Sequence, residues 1–134
     1  TTQQDIEFSI QQMVEIASRA LSPGINDPFT AIACIDSLTA TAVHLTQGRF
    51  PQKYRFDDQN ILRAILTVLD FETILATSFN QIRQFSAGNS SVLVRLMQAI
   101  ISIYKMTSDE SQKKALLEDV FGAWRIYSAL DLVL

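Results

Sequence analysis

Arg19-Ala20-Leu21-Ser22-Pro23-Gly24-Ile25-Asn26-Asp27-Pro28-Phe29-Thr30-Ala31 is the stretch on which the fold turns. Upstream of it, Ile6, Ile10, Met13, Val14, Ala17, Ala20 and Leu21 recur at steps of three and four. They form one apolar helical stripe, with Gln11, Gln12, Glu15 and Ser18 off it. That helix stops near Leu21, because a proline ring pushes the residue before it, Ser22, out of the α region. Pro23-Gly24 fits the two central positions of a type II turn, with glycine taking the positive φ. Asp27 is then held extended by Pro28, the backbone an N-cap needs, and Pro28 sits at the first helical position, where its missing N–H costs nothing. Asp27 is expected to accept from the Thr30 N–H. Ser22, Pro23, Gly24 and Pro28 are therefore read as structural residues of a rigid helix-to-helix turn.

Downstream, Ile32, Ile35, Leu38, Ala42 and Leu45 give a second helix from about Phe29 to Thr46, stopped by Gly48. A small β-hairpin is expected near residues 53–67. There the polar run Asp57-Asp58-Gln59-Asn60 separates Tyr54-Arg55-Phe56 from the apolar Ile61 to Leu69. A third helix capped by Asp70 carries Phe71, Ile74, Leu75, Ser78, Phe79, Ile82 and Phe85 and ends at Gly88-Asn89. A fourth, capped by Ser90 or Ser91, carries Leu93, Leu96, Met97, Ile100 and Tyr104. Thr107 and Glu110 have capping-box spacing before a fifth helix with Leu116, Leu117, Val120, Phe121, Trp124, Tyr127 and Leu130. The expected architecture is all-α, about five helices in a compact bundle, in a single domain spanning residues 1–134. The uncapped end at Leu134 and the polar start suggest a piece of a longer protein.

Composition agrees and excludes several functions. The 134 residues are 48% hydrophobic and 19% charged, with 4 Gly and 3 Pro, which fits a packed domain and not a disordered chain. Eleven Lys and Arg against 14 Asp and Glu leave a net charge of −3, so no nucleic-acid partner is expected. A lone Cys34 and a lone His44 exclude an internal disulfide, a cysteine-cluster zinc site and a histidine-based triad within the chain. No metal site, no cofactor and no catalytic residue is identified. The Asp57 to Asn60 run lacks the spacing of a calcium loop and reads as a solvated turn. Uninterrupted apolar runs such as Ala31 to Ile35 fall far short of the roughly 20 residues that span a bilayer, so the chain itself reads as soluble.

Asp36 is the conspicuous charge, because its neighbours at helical spacing, Phe29, Ile32, Ala33, Ala40 and Val43, are apolar or small. A buried carboxylate there needs a partner, and Arg19 and Arg83 are the candidates. Arg19, Asn26, Asp27, Asp36, Gln81 and Arg83 together make a candidate ligand- or ion-binding cluster around the rigid turn. General-base chemistry by Asp27 or Asp36 is the weakest alternative, since neither has a nucleophile, metal or second acid beside it.

These residues also carry a resemblance. Asp5, Phe8, Gln12, the run Arg19 to Ala31, Ile35-Asp36 and Phe79-Asn80-Gln81-Ile82-Arg83 resemble the C-terminal soluble region of a bacterial family of predicted membrane proteins, domain of unknown function 2254. The sequence departs from that pattern at Ser9 and Ile10. The resemblance implies transmembrane segments upstream, a bacterial inner-membrane location with this part on the cytoplasmic side, and no established activity. The expected role is an extramembrane assembly or regulatory domain, with a small-ligand sensor as the alternative. Self-association is expected through the apolar face bearing Trp124 and Tyr127.

Overall fold

The structure is a computed structural model that describes residues 2–47, 54–65, 76–110, 112–114, 116–118 and 125. Its elements are α1 (Thr2–Ala20), α2 (Pro28–Gln47), β1 (Tyr54–Phe56), β2 (Leu62–Ile65), a π-helical turn (Ala76–Asn80) that runs into the short α3 (Gln81–Phe85), and α4 (Ser90–Met106). The all-α class holds, with one two-stranded antiparallel hairpin. Asp70, Phe71, Ile74, Leu75, Gly48, Trp124 and Tyr127 lie outside the described residues.

α2 packs against α1 on one side and α4 on the other, and α1 also meets the π turn and α3. One apolar cluster joins Ile10, Val14, Ala17 and Ala20 of α1 with Ala31, Ile35, Leu38 and Ala42 of α2. Phe79, Ile82 and the inner face of α4 complete it, with Leu116. Alanines stand at many of the helix contacts. A methyl-sized side chain lets two helix axes approach closely, and Ala17, Ala20, Ala31, Ala42 and Ala99 are all buried. Ser18, expected off the α1 stripe, is buried as well, because its hydroxyl donates to the Val14 carbonyl at 2.8 Å and needs no water.

The α1–α2 turn is tight but not type II. Gly24 has no positive φ; Asn26 takes the left-handed conformation instead, at φ 47°. Its N–H donates to the Ser22 carbonyl at 2.8 Å and the Asp27 N–H to the Ala20 carbonyl at 2.6 Å, so the turn closes onto the end of α1. Asparagine tolerates this region better than most residues, and it stood beside a more conspicuous Pro-Gly. Asp27 caps α2 as expected: the Thr30 N–H donates to Oδ1 at 3.2 Å and the Thr30 hydroxyl to Oδ2.

In the hairpin, Tyr54 pairs with Ile65 and Phe56 with Leu62, with a bulge between Arg55 and Phe56. Asp57 organises the turn. It accepts from the Gln59 and Ile61 N–H groups, each at 2.9 Å, and from Arg63 Nε at 2.7 Å, while Asn60 sits at φ 65°. The Ile61 N–H and the Arg63 guanidinium hold the Asp57 carboxyl below its usual range.

Three further expectations are corrected. The π turn shifts the helical phase, so Ser86 takes the inward place and Phe85 turns outward. Asn89 caps α4 rather than Ser90 or Ser91: its extended backbone and a side chain that accepts from the Val92 N–H at 3.4 Å make it the first turn's acceptor, not a stop for α3. Thr107 ends α4 by donating its hydroxyl to the Ile103 carbonyl at 2.8 Å. Asp109 takes up the next helical turn, accepting from the Gln112 N–H at 3.0 Å.

Candidate functional site

Asp36 lies on the outward face of α2, across from Arg95 on α4. Arg95 Nε donates to Oδ1 and its Nη2 to Oδ2, both at 2.7 Å, a bidentate fork that the planar guanidinium suits. Arg95, not Arg19 or Arg83, is thus the partner of Asp36. The two side chains are 48% and 43% exposed, so the pair is wet and screened. The Arg95 guanidinium holds Asp36 below the ordinary carboxylate range, and Asp36 in turn raises Arg95. A general base working near neutral pH needs the opposite shift.

Around this pair a cleft of about 400 Å³ opens between α2 and α4, lined by Asp36, Thr39, Arg95, Gln98, Ala99 and Ser102. Its hydroxyls are committed to their own helices: Thr39 donates to the Ile35 carbonyl at 2.7 Å and Ser102 to the Gln98 carbonyl at 2.9 Å. What faces outward is therefore a neutralised ion pair and one carboxamide. Such a set clasps two helices together more naturally than it captures a charged ligand.

The six candidate residues divide among separate places. Asp36 belongs to the α2–α4 cleft. Asn26 and Asp27 serve the turn and the α2 cap. Arg19 is exposed and pairs with Glu15 one turn back. Glu15 and Gln81 line a second groove, of about 790 Å³ between α1 and α3, with Gln11, Asn80, Gln84 and Phe85. Arg83 stands half-buried on α3. Among the described residues no three His, Cys, Asp or Glu side chains converge where a metal ion could bind. Cys34 is half-buried, and burial pushes its thiol up. Sequence reasoning missed Arg95, although an arginine inside the apolar run Val92 to Met97 was itself a sign that it needed a partner.

α2 also corrects the reading of the apolar runs. At 20 residues and mean hydropathy 1.3, it is the one described helix long and apolar enough to cross a membrane by length and composition. Thr and Ser break the apolar runs of such a helix at little cost in mean hydropathy.

The chain belongs to the family described as "Predicted membrane protein (DUF2254)", which matches residues 1–102. Uncharacterised proteins of Mycobacterium tuberculosis and Mycobacterium bovis are each 37% identical over 115 residues, 86% of this chain and 22% of theirs. The chain therefore spans about a fifth of the length of the curated relatives it matches. No solved structure matches it. Membership in a family of predicted membrane proteins of unknown function is thus established, and the family supplies no activity.

Proposed function

We propose that the 134 residues form a single extramembrane helical domain of a bacterial inner-membrane protein, following its membrane spans and lying on the cytoplasmic side, and that it serves in assembly or regulation. The observation that carries this reading is the Asp36–Arg95 fork on the outer face of α2. α2 has the length and composition of a span, but its apolar Ala31, Ile35, Leu38 and Ala42 are turned into the protein core. Its outward face carries Phe29, Ala33, Asp36, Ser37, Ala40 and His44. A solvated ion pair on that face suits water and is costly in hydrocarbon. α2 is therefore read as the core helix of a water-facing domain. Assembly is favoured over ligand sensing because the candidate polar residues are spent on caps, turns and ion pairs. Self-association through the segment bearing Trp124 and Tyr127 completes the proposal.

Thiol accessibility in the full-length protein tests the placement. Single cysteines at Ser37 and Ala40, with native cysteines replaced, are expected to react with a membrane-impermeant maleimide in inside-out vesicles and not in right-side-out ones. The reverse pattern would move the domain to the opposite face. Protection in both orientations until detergent is added would put α2 in the bilayer and sink the proposal. Sedimentation showing a monomer at high micromolar concentration would remove the self-association part.

A further inference from the structure

α1 shows two large apolar side chains to solvent on the side away from the core: Phe8 is 60% exposed and Ile16 49%. Its other side is already taken, since Ile10, Val14 and Ala17 are buried there and α2, the π turn and α3 pack against the helix. At about 100° per residue, Asp5, Phe8, Gln12, Ile16 and Arg19 fall within about 80° of one another and make one stripe along α1. All five are exposed.

This stripe is symmetric about Gln12. Asp5 and Arg19 stand seven residues to either side of it, and Phe8 and Ile16 four. Two copies of α1 laid antiparallel, with Gln12 on the two-fold axis, therefore set each Asp5 against the partner's Arg19 and each Phe8 against the partner's Ile16. A closed two-fold interface asks for this reciprocity, in which one residue meets a second while the second meets the first. The two carboxamides at the axis each hold a donor and an acceptor to exchange. Parallel pairing would instead oppose Asp5 to Asp5 and Arg19 to Arg19, so charge selects the antiparallel arrangement. Asp5 in the first turn and Arg19 in the last also suit the dipole of their own helix. That accounts for each charge singly, and not for two exposed apolar side chains spaced evenly between them. Arg19 already meets Glu15, but both side chains are largely exposed, and so wet a pair leaves the guanidinium able to share a second carboxylate.

We propose that a second copy of this chain covers the outer stripe of α1, through an antiparallel α1–α1 seam with Gln12 on its two-fold axis. A helix of 19 residues is about 28 Å long and about 10 Å across. One such pair buries less than the roughly 1,200 Å² at which stable interfaces begin, so the seam forms where copies are concentrated. To that extent the inference rests on the extramembrane reading, because copies tethered to one bilayer meet far more often than in dilute solution. It uses neither Trp124 nor Tyr127 and is separate from self-association through that segment.

Disulfide trapping in the full-length protein in its membrane, with native cysteines replaced, reads the register. Gln12→Cys alone is expected to give a disulfide-linked dimer on mild oxidation. Phe8→Cys and Ile16→Cys should each give little alone, because two Phe8 positions lie about 12 Å apart along the seam and a disulfide needs Cα atoms within about 7 Å. Co-expressed with different tags, the two variants should link to each other. Asp5→Arg and Arg19→Asp should each lower the Gln12→Cys yield several-fold, and the two together should restore it. Linkage of Phe8→Cys to itself would mean parallel helices, and no linkage at Gln12→Cys would give the stripe to another partner or to lipid; either overturns the proposal. A combined charge reversal that fails to restore the yield overturns it as well. Trapping should survive Trp124→Ser with Tyr127→Ser, and its loss would assign association to that segment instead of α1. The labelling at Ser37 and Ala40 is read separately, so the seam can fail while the placement of the domain stands.

Discussion

Ile35→Ala against Phe29→Ala tests which face of α2 holds the protein together. Ile35 is fully buried between α1 and α4, whereas Phe29, less than two turns away on the same helix, is 83% exposed. Removing three carbons from Ile35 forfeits ~2.4 kcal/mol of transfer free energy. A residual cavity of about 50 Å³ adds ~1.2 kcal/mol, because alanine-spaced helices are already in contact and close poorly around a hole. The better helix propensity of alanine returns ~0.4 kcal/mol, leaving about 3 kcal/mol. Unfolding entropy of ~2.1 cal/mol/K per residue converts this to a fall in Tm of about 11 °C for a chain of this length. Phe29→Ala should stay within about 0.5 kcal/mol of wild type. Thermal and urea unfolding of the 134-residue chain, followed by circular dichroism with an unchanged m-value, measures both. Equal losses from the two variants would refute the packing direction assigned to α2, and with it the argument that its outer face meets water.

The other tests address turns and charge. Gly24 has an ordinary φ and nothing within 4 Å of a built Cβ, so Gly24→Ala should stabilise the chain by about 0.4–1 kcal/mol, while Asn26→Val, forced to the left-handed region at φ 47°, should destabilise it by at least about 1–2 kcal/mol. Differential scanning calorimetry of the two variants reads the contrast, and a destabilising Gly24→Ala would refute the assignment of the left-handed position to Asn26 rather than Gly24. The hairpin should melt with acid. Because the Ile61 N–H and Arg63 lower the folded-state value of Asp57, its contribution is complete well above the ordinary Asp value of about 3.9 and is lost as pH falls through the folded value. The Ile61 amide resonance should stay put from neutral pH down to about 5 and move below it; in Asp57→Asn it should not titrate.

What the sequence disclosed follows the range of the forces concerned. α1, α2, the Asp27 cap and the hairpin turn at Asp57 are set by periodicity and side chains within four residues of one another, and all were readable. Asp36–Arg95 joins positions 59 residues apart, and no local pattern names the partner. The errors at Gly24 and Asn89 share a cause: glycine and asparagine both serve turns, caps and stops, and only the three-dimensional path decides which of two neighbours takes the special backbone. The π turn was invisible because the side-chain spacing of Ser78, Phe79 and Ile82 suits a regular helix equally well. The candidate cluster failed to converge for a related reason, since sequence proximity to one turn says nothing about which helix face each side chain leaves by.

The buried alanines have a consequence beyond packing. Ala17, Ala20, Ala31, Ala42 and Ala99 are buried in one cluster, and side chains this small let helices approach closely and gain dispersion contacts while hiding little apolar area from water. Small-residue contacts of this kind hold helices together in lipid, where water expulsion contributes nothing. The methyl contacts of this seam therefore lean less on water expulsion than the Ile, Leu and Phe side chains buried in the same core, and changes of solvent should weigh on the latter first.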